Sequence, residues 1–183
     1  MTGYYGKVST HGDFVGRGLP PQLVQAWDGW LQECMRASQA ALGPAWLERY
    51  LNGPVWRFAI APGVLGPEGL GGIMMPSVDR VGRYFPLMVG ALGAAPLLDW
   101  FETQAAWYDA VEDLARTSLD STFLLARFEA LPLPSVALAG VRLDGQTMWW
   151  TEGGPFVDPS MMMCSGMPGV DKFAAMLDAD SPT

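Results

Sequence analysis

The sequence predicts an α/β domain in which a mostly antiparallel sheet is sandwiched by helices. Three observations carry this. Short segments rich in aromatic and β-branched residues stand at the front, middle and back of the chain. Stretches with helical apolar spacing lie between them. The strand pairs near 73–92 and 136–151 are so close in sequence that each should form an antiparallel hairpin. Helices must then cover the apolar faces of the sheet. Half of the 183 residues are hydrophobic and 16% are charged, the balance of a folded chain with a large core. A chain of this length buries roughly 70% of its unfolded surface and needs no covalent staple. A single domain over 1–177 is expected, with 178–183 as a flexible tail.

The elements follow in order. "YYGKVS" reads as a short first strand and "THGDFVGRG" as a glycine-rich loop. Pro20 and Pro21 suit the first turn of a helix. Leu23, Trp27, Trp30, Leu31, Cys34 and Ala41 give that helix one apolar face, and Gly43-Pro44 ends it. "AWLERYL" is a short second helix, closed by Asn52-Gly53-Pro54. "VWRFAIA" is a strand and "PGVLGPEGLGG" a loop. "GIMMPSV" and "RYFPLMVGAL" are two strands joined at "DRVG", and Pro86 places the second at an edge or at a strand start.

One long amphipathic helix is expected from Leu97 to Leu119. Leu97, Trp100, Phe101, Tyr108, Val111, Leu114, Ala115 and Leu119 share one side of it, and Glu102, Asp109, Glu112 and Asp113 another. Asp120 can cap a further helix through "STFLLARFEAL". "VALAGVRL" and "QTMWWT" flank Asp144-Gly145, a two-residue hairpin signal. "VDKFAAML" is a short last helix.

Net charge is −8. It is uneven: residues 1–95 hold seven basic and six acidic side chains, whereas residues 96–183 hold four and thirteen. An acidic chain without a basic stripe is a poor fit to nucleic acid or to an anionic membrane. The longest apolar run, Phe85 to Leu98, is broken by glycine and proline and is too short to span a bilayer. "MTGYYGKVSTHGDF" has no apolar signal region. The two isolated cysteines, Cys34 and Cys164, form no zinc spacing and no disulfide framework. A cytoplasmic protein with reduced thiols is expected.

Few residues carry the pattern of chemistry. His11 is the single histidine. Asp13, two residues on, is not at a catalytic spacing, and no nucleophile elbow is present. "MMMC" at 161–164 cannot turn all of its sulfurs toward one ion if it is a strand, because neighbouring side chains point to opposite faces. No catalytic residue, metal or cofactor is therefore assigned. "SVDRVGRYFPL" is the most unusual segment. It sets Asp79, Arg80 and Arg83 inside an apolar run, where an unpaired charge is costly to bury. Gly82 permits a tight turn there. A structural Asp79–arginine pair weighs more than an arginine cluster gripping phosphate or carboxylate, for which Arg57, Arg80 and Arg83 would have to converge.

"GYYGKVSTHGDFVGRGLP", "WLERYLNGPVWRFAIAPGVLG" and "GGIMMPSVDRVGRYFPL" resemble the TagF family, also called ImpM, accessory proteins of bacterial type VI secretion clusters. The likeness is specific over roughly residues 3–92 and looser beyond residue 97. It implies an α/β/α sandwich related to longin domains and a non-enzymatic repressor of secretion. The implied partner is a forkhead-associated-domain scaffold protein. Two surfaces are candidates for it. One is the N-terminal loop with Asp13, Phe14 and Arg17; the other is the acidic helix face with Glu102, Asp109, Glu112 and Asp113. The alternative is a small hydrolase or phosphate-processing enzyme using His11, Asp13 and the arginines of 79–83.

Overall fold

The computed structural model describes residues 2–93, 95–135 and 143–181. Its strands are β1 (Gly3–Gly6), β2 (Val15–Arg17), β3 (Trp56–Ile60), β4 (Gly69–Met75), β5 (Leu87–Gly93), β6 (Gln146–Thr151) and β7 (Ser160–Ser165). They form one sheet in the order β2-β1-β5-β4-β3-β6-β7, and every neighbouring pair is antiparallel. The helices are α1 (Pro21–Leu42), α2 (Trp46–Leu51), α3 (Leu97–Thr103), α4 (Ala105–Thr117), α5 (Ala126–Glu129) and α6 (Val170–Leu177).

Strand periodicity sorts the core into two layers. Trp56, Phe58, Ile60, Leu70, Met74, Met88 and Trp149 face one way, onto Trp27 and Leu31 of α1, Tyr50 of α2 and Phe173 of α6. Ala59, Ile73, Leu87, Val89, Met148 and Trp150 face the other way, onto Trp100 of α3, Tyr108 and Val111 of α4 and Phe128 of α5. Helices thus cover both faces of an antiparallel sheet, as the sequence predicts.

Several elements differ from expectation. The glycine-rich loop contains β2, paired through Tyr5↔Gly16. β4 begins at Gly69, inside the expected loop. A Cβ on Gly71 would stand 2.4 Å from the Trp100 ring, because an indole lies directly on the strand there, whereas a Cβ on Gly69 or Gly72 would meet the β5 backbone, at Gly93 O (2.6 Å) and Val89 O (2.4 Å). Pro86 marks a strand start and not an edge, since β5 lies between β1 and β4. The long helix is two, broken at Gln104, whose side-chain amide bonds Ser135 N (3.1 Å) and Ser135 O (2.7 Å). Phe101 and Leu119, expected on its buried side, are exposed, and Trp107 is buried instead. Asp120 accepts from the Thr122 amide (2.8 Å) in a turn, and the helix after it shrinks to α5. Ala41 is exposed. β7 belongs to no expected element. Asp178 holds Arg49 at 2.6 Å, and Ala179 N donates to Phe156 O. Apart from Leu143, the strand expected over 136–143 lies outside the described residues.

Candidate functional site

Because β1 pairs with β5, the segment after β1 runs beside the connection between β4 and β5. That connection is a narrow loop. Val78 and Tyr84 bridge, Asp79 N donates to Arg83 O (3.0 Å), and Gly82 N donates to Asp79 O (3.0 Å). Gly82 takes φ 87°, a conformation that a side chain disfavours.

The Asp79 carboxylate is the centre of the loop. Its residue is 3% exposed. One oxygen accepts the amides of Val81 (3.0 Å) and Arg83 (2.9 Å). The other accepts Lys7 Nζ (2.5 Å) and Arg83 Nε (2.7 Å). Burial pushes the Asp79 pKa up, but Lys7, Arg83 and the two amides outweigh it and hold the carboxyl well below the usual range. The loop is also stitched to the N-terminal segment. Arg83 donates from its guanidinium to Gly12 O, Arg80 N donates to His11 O (2.9 Å), and Ser77 Oγ donates to Lys7 O (2.7 Å). Beneath it the Tyr50 hydroxyl accepts from Ser77 N (3.0 Å) and donates to Ser77 O (2.9 Å).

On this frame sits Phe14, 41% exposed. Its ring stacks on Tyr5 (5.6 Å), meets Phe85 edge-on (4.8 Å) and lies 4.8 Å from Lys7 Nζ. Asp13 accepts the Phe14 amide (2.8 Å), and Arg17 pairs with Glu129 (3.0 Å). The structure thus places Asp13, Phe14, Asp79, Arg80, Gly82 and Arg83 on two adjoining loops. Lys7, Ser77 and Tyr50 complete them. Lys7 was the one of these with a visible signal, a lone cation in the apolar segment "YYGKVS".

The arginines do not converge. Arg57 points to α4, where it holds Asp109 (2.8 Å) and Glu112 (3.0 Å), and Arg116 holds Glu112 from its other side (2.7 Å). Burial lowers the Arg57 pKa, and the hydrogen bonds and charges of Glu112 and Asp109 more than restore it, leaving it raised. Of the acidic face, only Glu102 and Asp113 carry no ion pair among the described residues.

The His11 ring contacts Thr10 Oγ1 (2.9 Å), and the Asp13 carboxylate is engaged by its own loop. Burial pushes the Cys34 thiol up to about 12, which suppresses its thiolate. Among the described residues no group of three or more His, Cys, Asp or Glu side chains could hold a metal ion. No described helix is long and apolar enough to cross a membrane.

Residues 3–132 match the family model described as the TagF N-terminal domain, type VI secretion system-associated. The chain belongs to the TagF family. The match spans both stitched loops and α4. The TagF assignment is joined by a likeness to the crystal structure of PA0076 from Pseudomonas aeruginosa PAO1, at 37% identity and a TM-score of 0.91. That likeness covers 100% of this TagF chain and 96% of PA0076. Comparison with curated proteins returns no match.

Proposed function

We propose that this chain is a cytoplasmic, non-enzymatic repressor of a bacterial type VI secretion system, acting by binding a forkhead-associated-domain scaffold protein. The family supplies the system. The observation that carries the binding reading is Phe14. A large aromatic stands partly exposed on a loop that is held by Arg83, Lys7 and Arg80, so it meets a partner with little conformational freedom left to lose. Asp109 and Glu112 are already spent on Arg57, which favours the loop over the acidic helix. Two helical layers on a sheet agree with a longin-like binding module. The test is a binding titration of purified scaffold against wild type and Phe14→Ala. About tenfold or greater loss of affinity from faster dissociation, with an unchanged circular dichroism spectrum, is expected. Equal affinities would remove the loop from the interface, and no binding by wild type would remove the scaffold.

A further inference from the structure

Independently of that reading, we infer that β7 is a self-pairing edge through which two copies of this chain join their sheets about a two-fold axis. β7 ends the sheet, and no described strand covers its outer side. Gly166 N donates to Gly145 O (2.7 Å), which fixes the phase of the β6–β7 ladder. Residues 160, 162 and 164 turn their backbone groups toward β6, so Met161, Met163 and Ser165 present theirs outward. Proteins usually guard such an edge with lysine, proline or a bulge. β7 reads "SMMMCS" and has none of these. It instead exposes Met161 (56%) and Met163 (45%) on the face where Phe101 packs against Trp150 at 5.2 Å. Methionine side chains adapt readily to a symmetric contact.

The occupant follows from the pleat and the charges. A two-fold axis normal to the sheet preserves its faces, so it must pass through a residue and not between two. Met163 is the central outward residue. An axis there pairs Met163 with the second copy's Met163, Met161 with its Ser165, and Met162 with its Cys164. No charge falls within either strand. Asp158, just before β7, and Lys172, whose Nζ lies 3.7 Å from Cys164 Sγ, line the same groove of about 320 Å³ and form no ion pair with each other. Antiparallel pairing brings the acidic end of one strand toward the basic end of the other, twice over. That reciprocity is what a second copy offers and an unrelated strand does not.

Sedimentation of the full chain over a range of concentrations should show a monomer–dimer equilibrium. Met163→Lys sets two ammonium groups opposite each other and should weaken association by about tenfold or more, with the melting temperature unchanged at dilutions where wild type is monomeric. Met162→Cys should give a disulfide-linked dimer under mild oxidation, because non-hydrogen-bonded pairs stand about 4.5 Å apart. Adding Cys164→Ser should abolish that link. A wild type that stays monomeric overturns the inference, as does a dimer indifferent to Met163→Lys that yields no cross-link. Protection of the Met161 and Met163 amides only when a different protein is added would assign the edge to a foreign strand instead.

Discussion

Asp79 illustrates what single residues reveal. Three charges inside an apolar run demand partners, and that demand is legible from composition alone. Arg83 was within reach because it lies four residues away on the same turn. Lys7 was not, because 72 residues separate it from Asp79 and only the pairing of β1 with β5 brings them together. Removing the carboxylate strands a buried ammonium and frees two amides, so Asp79→Ala should lower the melting temperature by about 10 °C or more. The pH dependence has a definite sign. The carboxyl titrates lower in the folded state than the ordinary value of about 3.9, so its stabilisation is complete above that value. It is lost as pH falls toward the folded pKa. The melting temperatures of wild type and Asp79→Asn should therefore differ by a constant amount from about pH 5 to 8, and the difference should shrink below about pH 4. A difference that changed between pH 5 and 8 would point to another group.

Glycine and glutamine decided the elements that were misread. "GLGG" carries no β-branched residue and resembles a loop, yet it supplies four of the seven residues of β4, because Gly71 lies beneath the Trp100 indole and Gly69 and Gly72 lie close against the β5 backbone. Gly71→Ala would drive a methyl group into Trp100 at 2.4 Å. It should cost about 1–3 kcal/mol, visible as a lower midpoint in denaturant and a changed Trp fluorescence. Helical spacing continues unbroken through Gln104, so periodicity merged α3 with α4. The break comes from a tertiary bond to Ser135 that no local pattern encodes. The α4 charges read as a candidate partner surface for a similar reason, since their partner Arg57 belongs to β3. Arg57→Ala leaves Glu112 half-buried without its strand-side partner. Between the values for exposed and buried pairs, the loss should be about 1–2 kcal/mol, or roughly 2–8 °C in melting temperature.

At the scale of the molecule, local patterns identified most of the strands but not their order. Placing β1 beside β5 and β6 beside β3 requires long connections, and those are set by which faces the helices cover. The same order determines which charges remain free for a partner. A net charge of −8, concentrated in the second half of the chain, creates a field that acts on any approaching protein. The stitched loop and Phe14 provide a short-range contact. These two contributions separate in kinetics. Reversing the unpaired acids, as Glu102→Lys with Asp113→Lys, removes long-range charge without disturbing Arg57 or its pair. It should change the association rate with the scaffold severalfold at low ionic strength, and the effect should fade near physiological salt, where the screening length is about 8 Å. Phe14→Ala should instead raise the dissociation rate equally at both ionic strengths, because a ring seated among Tyr5, Phe85 and Lys7 acts by contact. Surface-based kinetics at two salt concentrations distinguishes them. If the charge-reversed variant dissociates faster while Phe14→Ala behaves as wild type, the acidic helix is the interface and the loop is scaffold.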